Sequence, residues 1–310
     1  MENLHVSNAP HICTHNSTRN VMLDVLIALL PATVASIVLF GLKALWIILA
    51  CVASAVLSEF IFNLCVKKKQ TIGDLSAVVT GLILALNLST KVAIWQCVIG
   101  SVFAIIVVKC LFGGLGKNIC NPAIAARVFL LLTFASVAGG GQPVNPEFVS
   151  SATPLAFLNT GVNATGAPTL LQLLLGTHGG TIGETCAVAL LVGYIYLVIR
   201  NVIKWYVPLA FVLTVFVCYL IFDHSFTYAL SHVLAGGLLF GAIFMATDYV
   251  TTPISNLGKV VFCVGCGLIT FAIRKWGSYP EGVSISILVM NLLVPLIERI
   301  TVPRTLGGIR

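Results

Sequence analysis

Charge is scarce in this chain: Asp, Glu, Lys and Arg together make up 9% of 310 residues, and only ten of them are acidic. Soluble domains carry about 25%. With 58% hydrophobic residues, the chain cannot keep its surface in water and reads as an integral membrane protein. Other absences narrow the function. No Gly-x-Gly-x-x-Gly follows a strand-like segment, which removes the usual dinucleotide signature, and no cysteine set has iron–sulfur spacing. No small-residue cleavage site follows the first apolar run, so that run is expected to insert and stay. Nine of the ten cysteines lie in or beside apolar runs and Cys13 lies near the amino terminus, which argues against a disulfide framework. The net charge of +7 is spread along the chain in a way that tracks topology, so a nucleic-acid partner is not expected.

What is present is a series of apolar runs. A bilayer core takes about 20 apolar residues per helix, and ten candidate spans follow: roughly 21–41, 43–66, 74–89, 92–112, 121–138, 184–199, 203–222, 231–250, 258–273 and 282–300. With a cytoplasmic amino terminus, the inside segments collect Arg19, Lys67, Lys68, Lys69, Lys109, Lys117, Arg200, Lys204, Lys259, Arg299, Arg304 and Arg310. The outside segments then hold Lys43, Lys91, Arg274 and Lys275. Twelve against four selects this orientation by the positive-inside rule, with tails 1–20 and 303–310 in the cytoplasm. No Lys or Arg separates Arg127 from Arg200, so the polar segment 139–182 is expected outside. Trp46, Trp95, Trp205 and Trp276 fall near span ends, where aromatic belts form.

The two halves, 21–138 and 183–302, echo each other. Gly81-Leu82-Ile83-Leu84-Ala85-Leu86-Asn87 parallels Gly241-Ala242-Ile243-Phe244-Met245-Ala246-Thr247, and the break FGGLGKNICNPA parallels KWGSYPEGVS. Five spans per half make such a repeat inverted. The expected fold is therefore all-α, about ten transmembrane helices in two inverted five-helix repeats, with polar breaks sorted to two leaflets. GKNICNPAIAAR (Lys117, Asn118, Asn121, Arg127) and MATDYVTTP (Thr247, Asp248) face the cytoplasm. LNLSTK, TIGETC (Glu184), GSYPEG (Tyr279, Glu281) and SSATPL (Ser150, Ser151, Thr153) face outward. Irregular backbone at membrane depth needs protein, ligand or water to satisfy it, so two polar pockets are expected.

Each feature also has a plain explanation. Arg127 and Asp248 are costly in apolar surroundings and point to function, or to a structural ion pair or a snorkelling side chain. Glu184 closes Thr181-Ile182-Gly183-Glu184, a capping box for the sixth span. Asn118 and Asn121 could meet the edge of a planar heterocycle with paired donors and acceptors, or serve turn geometry alone. Gly237 and Gly241 read as helix packing, and Cys263 and Cys266 as small hydrophobes. His11, Cys13 and His15 could ligate a metal but lack a fourth ligand, so a tail that docks on a partner is expected instead. The run PTLLQLLLG suits a short helix at the membrane surface.

GKNICNPAIAARVFLL, SSATPLAFL, TIGETCAVALLVGYIYL, GGLLFGAIFMATDYVTTP and YPEGVSISILVMNLLVPLIER, in that order, resemble the D subunit of Rnf-type ion-translocating ferredoxin:NAD⁺ oxidoreductase complexes. The B subunit of the Na⁺-translocating NADH:quinone oxidoreductase is related to it. The resemblance runs from about residue 10 to the end. It implies FMN joined through its phosphate to Thr153 by an extracytoplasmic FMN transferase, with Ser150, Ser151, Glu184, Tyr279 and Glu281 around the outer site. Here Ser151 stands where the family motif commonly has glycine, and Asn145 and Glu147 are the nearest upstream candidates for its aspartate. It further implies a second, non-covalent flavin, riboflavin or FMN, near the cytoplasmic face beside Asn118, Asn121, Arg127 and Asp248. The implied partners are the other membrane and peripheral subunits and membrane lipid, in a bacterial cytoplasmic membrane. The implied activity is that of a non-autonomous part of a translocase coupled to Na⁺ or H⁺ export. Topology alone would favour a solute transporter or channel, and a purely structural membrane scaffold is a second rival.

Overall fold

A computed structural model describes residues 17–134, 155, 158, 169–277 and 281–301. Ser150, Ser151, Thr153 and Tyr279 lie outside the described residues, as do His11, Cys13 and His15. The described residues are helical and contain no strand. Helix α1 (Thr18–Phe40) starts at Ser17, whose side chain accepts from Asn20 N. After a single Gly41 at φ +68°, where a left-handed residue reverses the chain at no Cβ cost, α2 runs from Leu42 to Cys65. There follow α3 (Ser76–Leu86), α4 (Ile94–Cys110) and α5 (Pro122–Thr133). The second half of α4, Phe103–Cys110, is wound as a π-helix.

The other half begins with the six-residue α6 (Leu170–Leu175), the short helix expected of PTLLQLLLG, with Leu171 and Leu175 exposed. Then come α7 (Ala187–Ile199), α8 (Tyr206–Asp223) and α9 (Phe226–Leu234). Helix α10 (Leu238–Met245) follows a 63° bend and is largely π-wound. The last two are α11 (Asn256–Trp276) and α12 (Val283–Thr301). Gly236 makes the bend with φ +70°.

Five of these helices, α1, α2, α8, α11 and α12, are long and apolar enough to cross a membrane, or six if α9 and α10 form one bent span. Helices α3, α4, α5 and α7 coincide with expected spans but are too short for that test. The α1 face made by Leu23, Ile27, Leu30, Val34 and Val38 is exposed, an apolar stripe of the kind that faces lipid or another subunit. Its opposite face buries Ala28, Leu29, Ala32 and Phe40. All four expected belt tryptophans are at least 56% exposed. Within the first half α2 packs on α3 and α4; within the second, α8 packs on α9 and α11. The halves meet where α1 packs on α7 and α5 on α12.

Candidate functional site

Two polar clusters lie along the short helices. The first surrounds a cavity whose wall is built from α1, α3, α4, α5, α7 and α10 and includes Ser76, Thr80, Lys109, Asn118, Asn121 and Asp248. Its empty space, with the open mouth counted, is about 810 Å³. Left-handed glycines at 113, 114 and 116 turn the chain between α4 and α5 and deliver both asparagines to this wall. Each serves the local turn as well. Asn118 Nδ2 donates to the Cys120 carbonyl (3.1 Å), and Asn121 Oδ1 caps α5 by accepting from Ala123 N (3.0 Å). Pro122 at the first helical position costs the helix no hydrogen bond. Among the described residues this leaves Asn118 Oδ1 and Asn121 Nδ2 unclaimed, one acceptor and one donor on the cavity wall. Asn291, with its amide oriented to satisfy both partners, accepts from Asn121 N and donates to the Thr251 carbonyl, tying the cap to the turn after α10.

Asp248 lies in that turn, where its Oδ2 accepts from the Thr251 hydroxyl (3.0 Å) and its Oδ1 from Val250 N. Much of its role is therefore a turn cap. Thr247 lines the same cavity and donates to the Ile243 carbonyl.

The second cluster is centred on Arg127, which is buried. Its guanidinium donates to Asn87 Oδ1 and to Glu281 Oε2. Glu281 Oε1 accepts from Gly237 N (3.1 Å). A Cβ at Gly237 would meet Glu281 Oε1 and lie 3.2 Å from Glu184 Oε2, so both carboxylates converge on this glycine. The arrangement joins the end of α3, the approach to α7, the α9–α10 bend and the start of α12. Glu184 Oε2 has no partner among the described residues.

The structure corrects the expected grouping of Arg127. It does not line the cavity with Asn118, Asn121 and Asp248; it sits with Glu184 and Glu281. The reason is helical rise: six residues separate Asn121 from Arg127 on α5, about 9 Å at 1.5 Å each, which carries the guanidinium to the other cluster. The ion-pair reading of Arg127 is the one its geometry satisfies. The capping box is also half made. Glu184 Oε1 accepts from Thr181 N (3.0 Å), but the Thr181 hydroxyl is unpartnered among the described residues and α7 starts at Ala187. The segment instead docks on α3, Ile182 N bonding the Leu88 carbonyl (2.9 Å) and Gly183 N the Leu86 carbonyl (2.7 Å). A Cβ on Gly183 would stand 2.5 Å from Leu86 Cβ. Gly183→Val should therefore cost about 1–3 kcal/mol by overpacking, seen as a lower Tm; an unchanged Tm would contradict the docking. Gly241 does pack, against Val283 and Ile287 of α12, while Gly237 serves the carboxylates.

Sequence reasoning missed a third group. Lys109 Nζ pairs with Glu59 Oε2 at 2.9 Å, both side chains almost wholly buried. Arg274 is buried too and donates to the His232 carbonyl (2.6 Å). Lys109 and Arg274 entered only as topology markers, and Glu59 not at all. The available signal was two opposite charges inside apolar runs, each needing a partner.

Comparison with known proteins shows the family of the chain. The family described as NQR2, RnfD, RnfE matches residues 5–307. The chain is 45% identical to the D subunit of the Na⁺-translocating ferredoxin:NAD⁺ oxidoreductase complex of Acetobacterium woodii, over 98% of this chain and 96% of that protein. It is 36% identical to the D subunit of the proton-translocating ferredoxin:NAD⁺ oxidoreductase complex of Clostridium ljungdahlii (97% and 96%). It is 37% identical to the D subunit of the ion-translocating oxidoreductase complex of Stutzerimonas stutzeri (94% and 93%).

Proposed function

Because the chain belongs to the NQR2, RnfD, RnfE family, we propose that it is a membrane electron-transfer subunit of an ion-translocating ferredoxin:NAD⁺ oxidoreductase complex. In this reading it carries FMN covalently on Thr153 and a second, non-covalent flavin in the cavity of Asn118 and Asn121. Near full-length similarity to relatives so named supports the complex. The observation that carries the inner site is the pair of unclaimed amide atoms on one cavity wall. One acceptor and one donor among the residues of one wall suit the carbonyl and N–H groups on the edge of a flavin ring. When bound, flavin supplies one- and two-electron chemistry that no side chain here has, and the protein's part is to bind, orient and tune it.

Two inverted repeats across a bacterial cytoplasmic membrane are part of the proposal, supported by the shared packing pattern of the two halves. Lys and Arg asymmetry supports cytoplasmic termini, even after one buried residue is set aside on each side of the count, Lys109 and Arg274. That orientation puts the Thr153 segment outside, where an FMN transferase would act, and the asparagine cavity inside. The remaining subunits of the complex and membrane lipid are the proposed partners. The 63° broken helix pair also suits a solute transporter or channel, which predicts no retained flavin. In purified complex, Asn118→Leu should lower extractable flavin to half or less of the parent's at equal protein. Unchanged stoichiometry would contradict the inner site.

A further inference from the structure

The cavity wall holds one cation among the described residues, Lys109. The residue is 3% exposed, and its ammonium has three N–H donors. Two are engaged, with Glu59 Oε2 (2.9 Å) and Ser76 Oγ (2.7 Å). The third has no acceptor among the described residues. Behind the pair, Glu59 Oε1 accepts from the Thr71 hydroxyl (2.5 Å), which accepts in turn from Asn63 Nδ2 (3.0 Å). Glu59, Asn63 and Thr71 do not line the cavity, so the ion pair is oriented, with its positive end at the wall. Two buried charges so placed are expensive, and replacement by apolar residues is often neutral or stabilising. Fold stability alone gives little reason for them.

We infer that Lys109 is a ligand-contacting residue of the cavity, whose free N–H meets an acceptor atom of a planar redox ring and raises that ring's reduction potential. The inference rests on the inner-flavin reading above. Adding one electron to such a ring places negative charge on its oxygen and nitrogen acceptors. A fixed, buried ammonium favours that charge, as preorganised donors do elsewhere. Asp248, on the same cavity, has both oxygens engaged in its turn and offers no donor. Glu59, Ser76, Thr71 and Asn63 act as positioning residues that hold Lys109 at the wall.

The test uses the purified complex, with redox titration of the extractable flavin followed by its visible absorption. Lys109→Met alone strands Glu59, so the informative variant is Lys109→Met with Glu59→Gln, which keeps the site neutral. It should retain the flavin and lower the equilibrium constant for one-electron reduction at least tenfold, about 59 mV for one electron. Lys109→Arg should keep most of the parent's potential. A double variant with full flavin and an unshifted potential overturns the Lys109 inference while leaving the inner site intact. A parent complex with no extractable flavin overturns both.

Discussion

Thr153→Val is expected to abolish the flavin fluorescence of the chain on a denaturing gel, when the protein is made together with its FMN transferase. Valine matches threonine in shape and lacks the hydroxyl, so the variant removes the oxygen through which the proposed phosphoester is made. Ser150→Ala and Ser151→Ala should keep the band, because in the proposed linkage neither hydroxyl is the attachment atom. A transporter reading predicts no band in any of the four proteins, and a band that survives Thr153→Val would remove the assignment. The loss should be complete rather than graded, which makes this the largest single effect expected of the chain.

The second large effect is structural. Arg127→Met leaves Glu281 without its cation, Asn87 without its donor and Glu184 close by, in a cluster where four polar breaks meet. Removing one partner of a fully buried pair costs roughly 3–5 kcal/mol; with Glu281 part-exposed the lower end, about 3 kcal/mol, is expected, a fall in Tm on the order of 10 °C for a chain of this size. Arg127→Lys should recover only part of the loss, since an ammonium keeps the charge but cannot reach both acceptors with a rigid fork. Arg127→Met combined with Glu281→Gln should recover more, because the stranded carboxylate is then gone. A Tm unchanged in Arg127→Met would show that the cluster does not hold the breaks together.

The apolar core of the fold was legible because its signal is compositional. Long runs such as 21–41 and 43–66 became α1 and α2, with boundaries off by a few residues, since helix ends depend on caps rather than hydropathy. Apolar runs cannot report the helix inside them, which is why 121–138 contains a described helix of only 12 residues and 231–250 contains a 63° bend. The asparagines were legible as residue types, and the structure shows the turn role of each: one amide atom of Asn118 and one of Asn121 bonds the local backbone, while both residues line the cavity. Arg127 was found but placed in the wrong cluster, because proximity in sequence to Asn121 hides a rise of nearly two turns. Lys109 and Glu59 were missed for a related reason. They are 50 positions apart, and a charge near the end of an apolar run looks like a topology signal until its partner on another helix is known. The half-made capping box at Thr181 shows the same limit: the bond from Glu184 exists, but docking on α3 carries the segment past the place where a free helix would begin.

The mass of the purified chain and of its peptides decides whether this membrane subunit bears FMN on Thr153. The peptide containing Thr153 should be heavier by one FMN phosphoester, the increment should be absent from Thr153→Val, and no other peptide should carry it. An unmodified Thr153 peptide from active complex, or the increment on a different residue, would contradict the assignment.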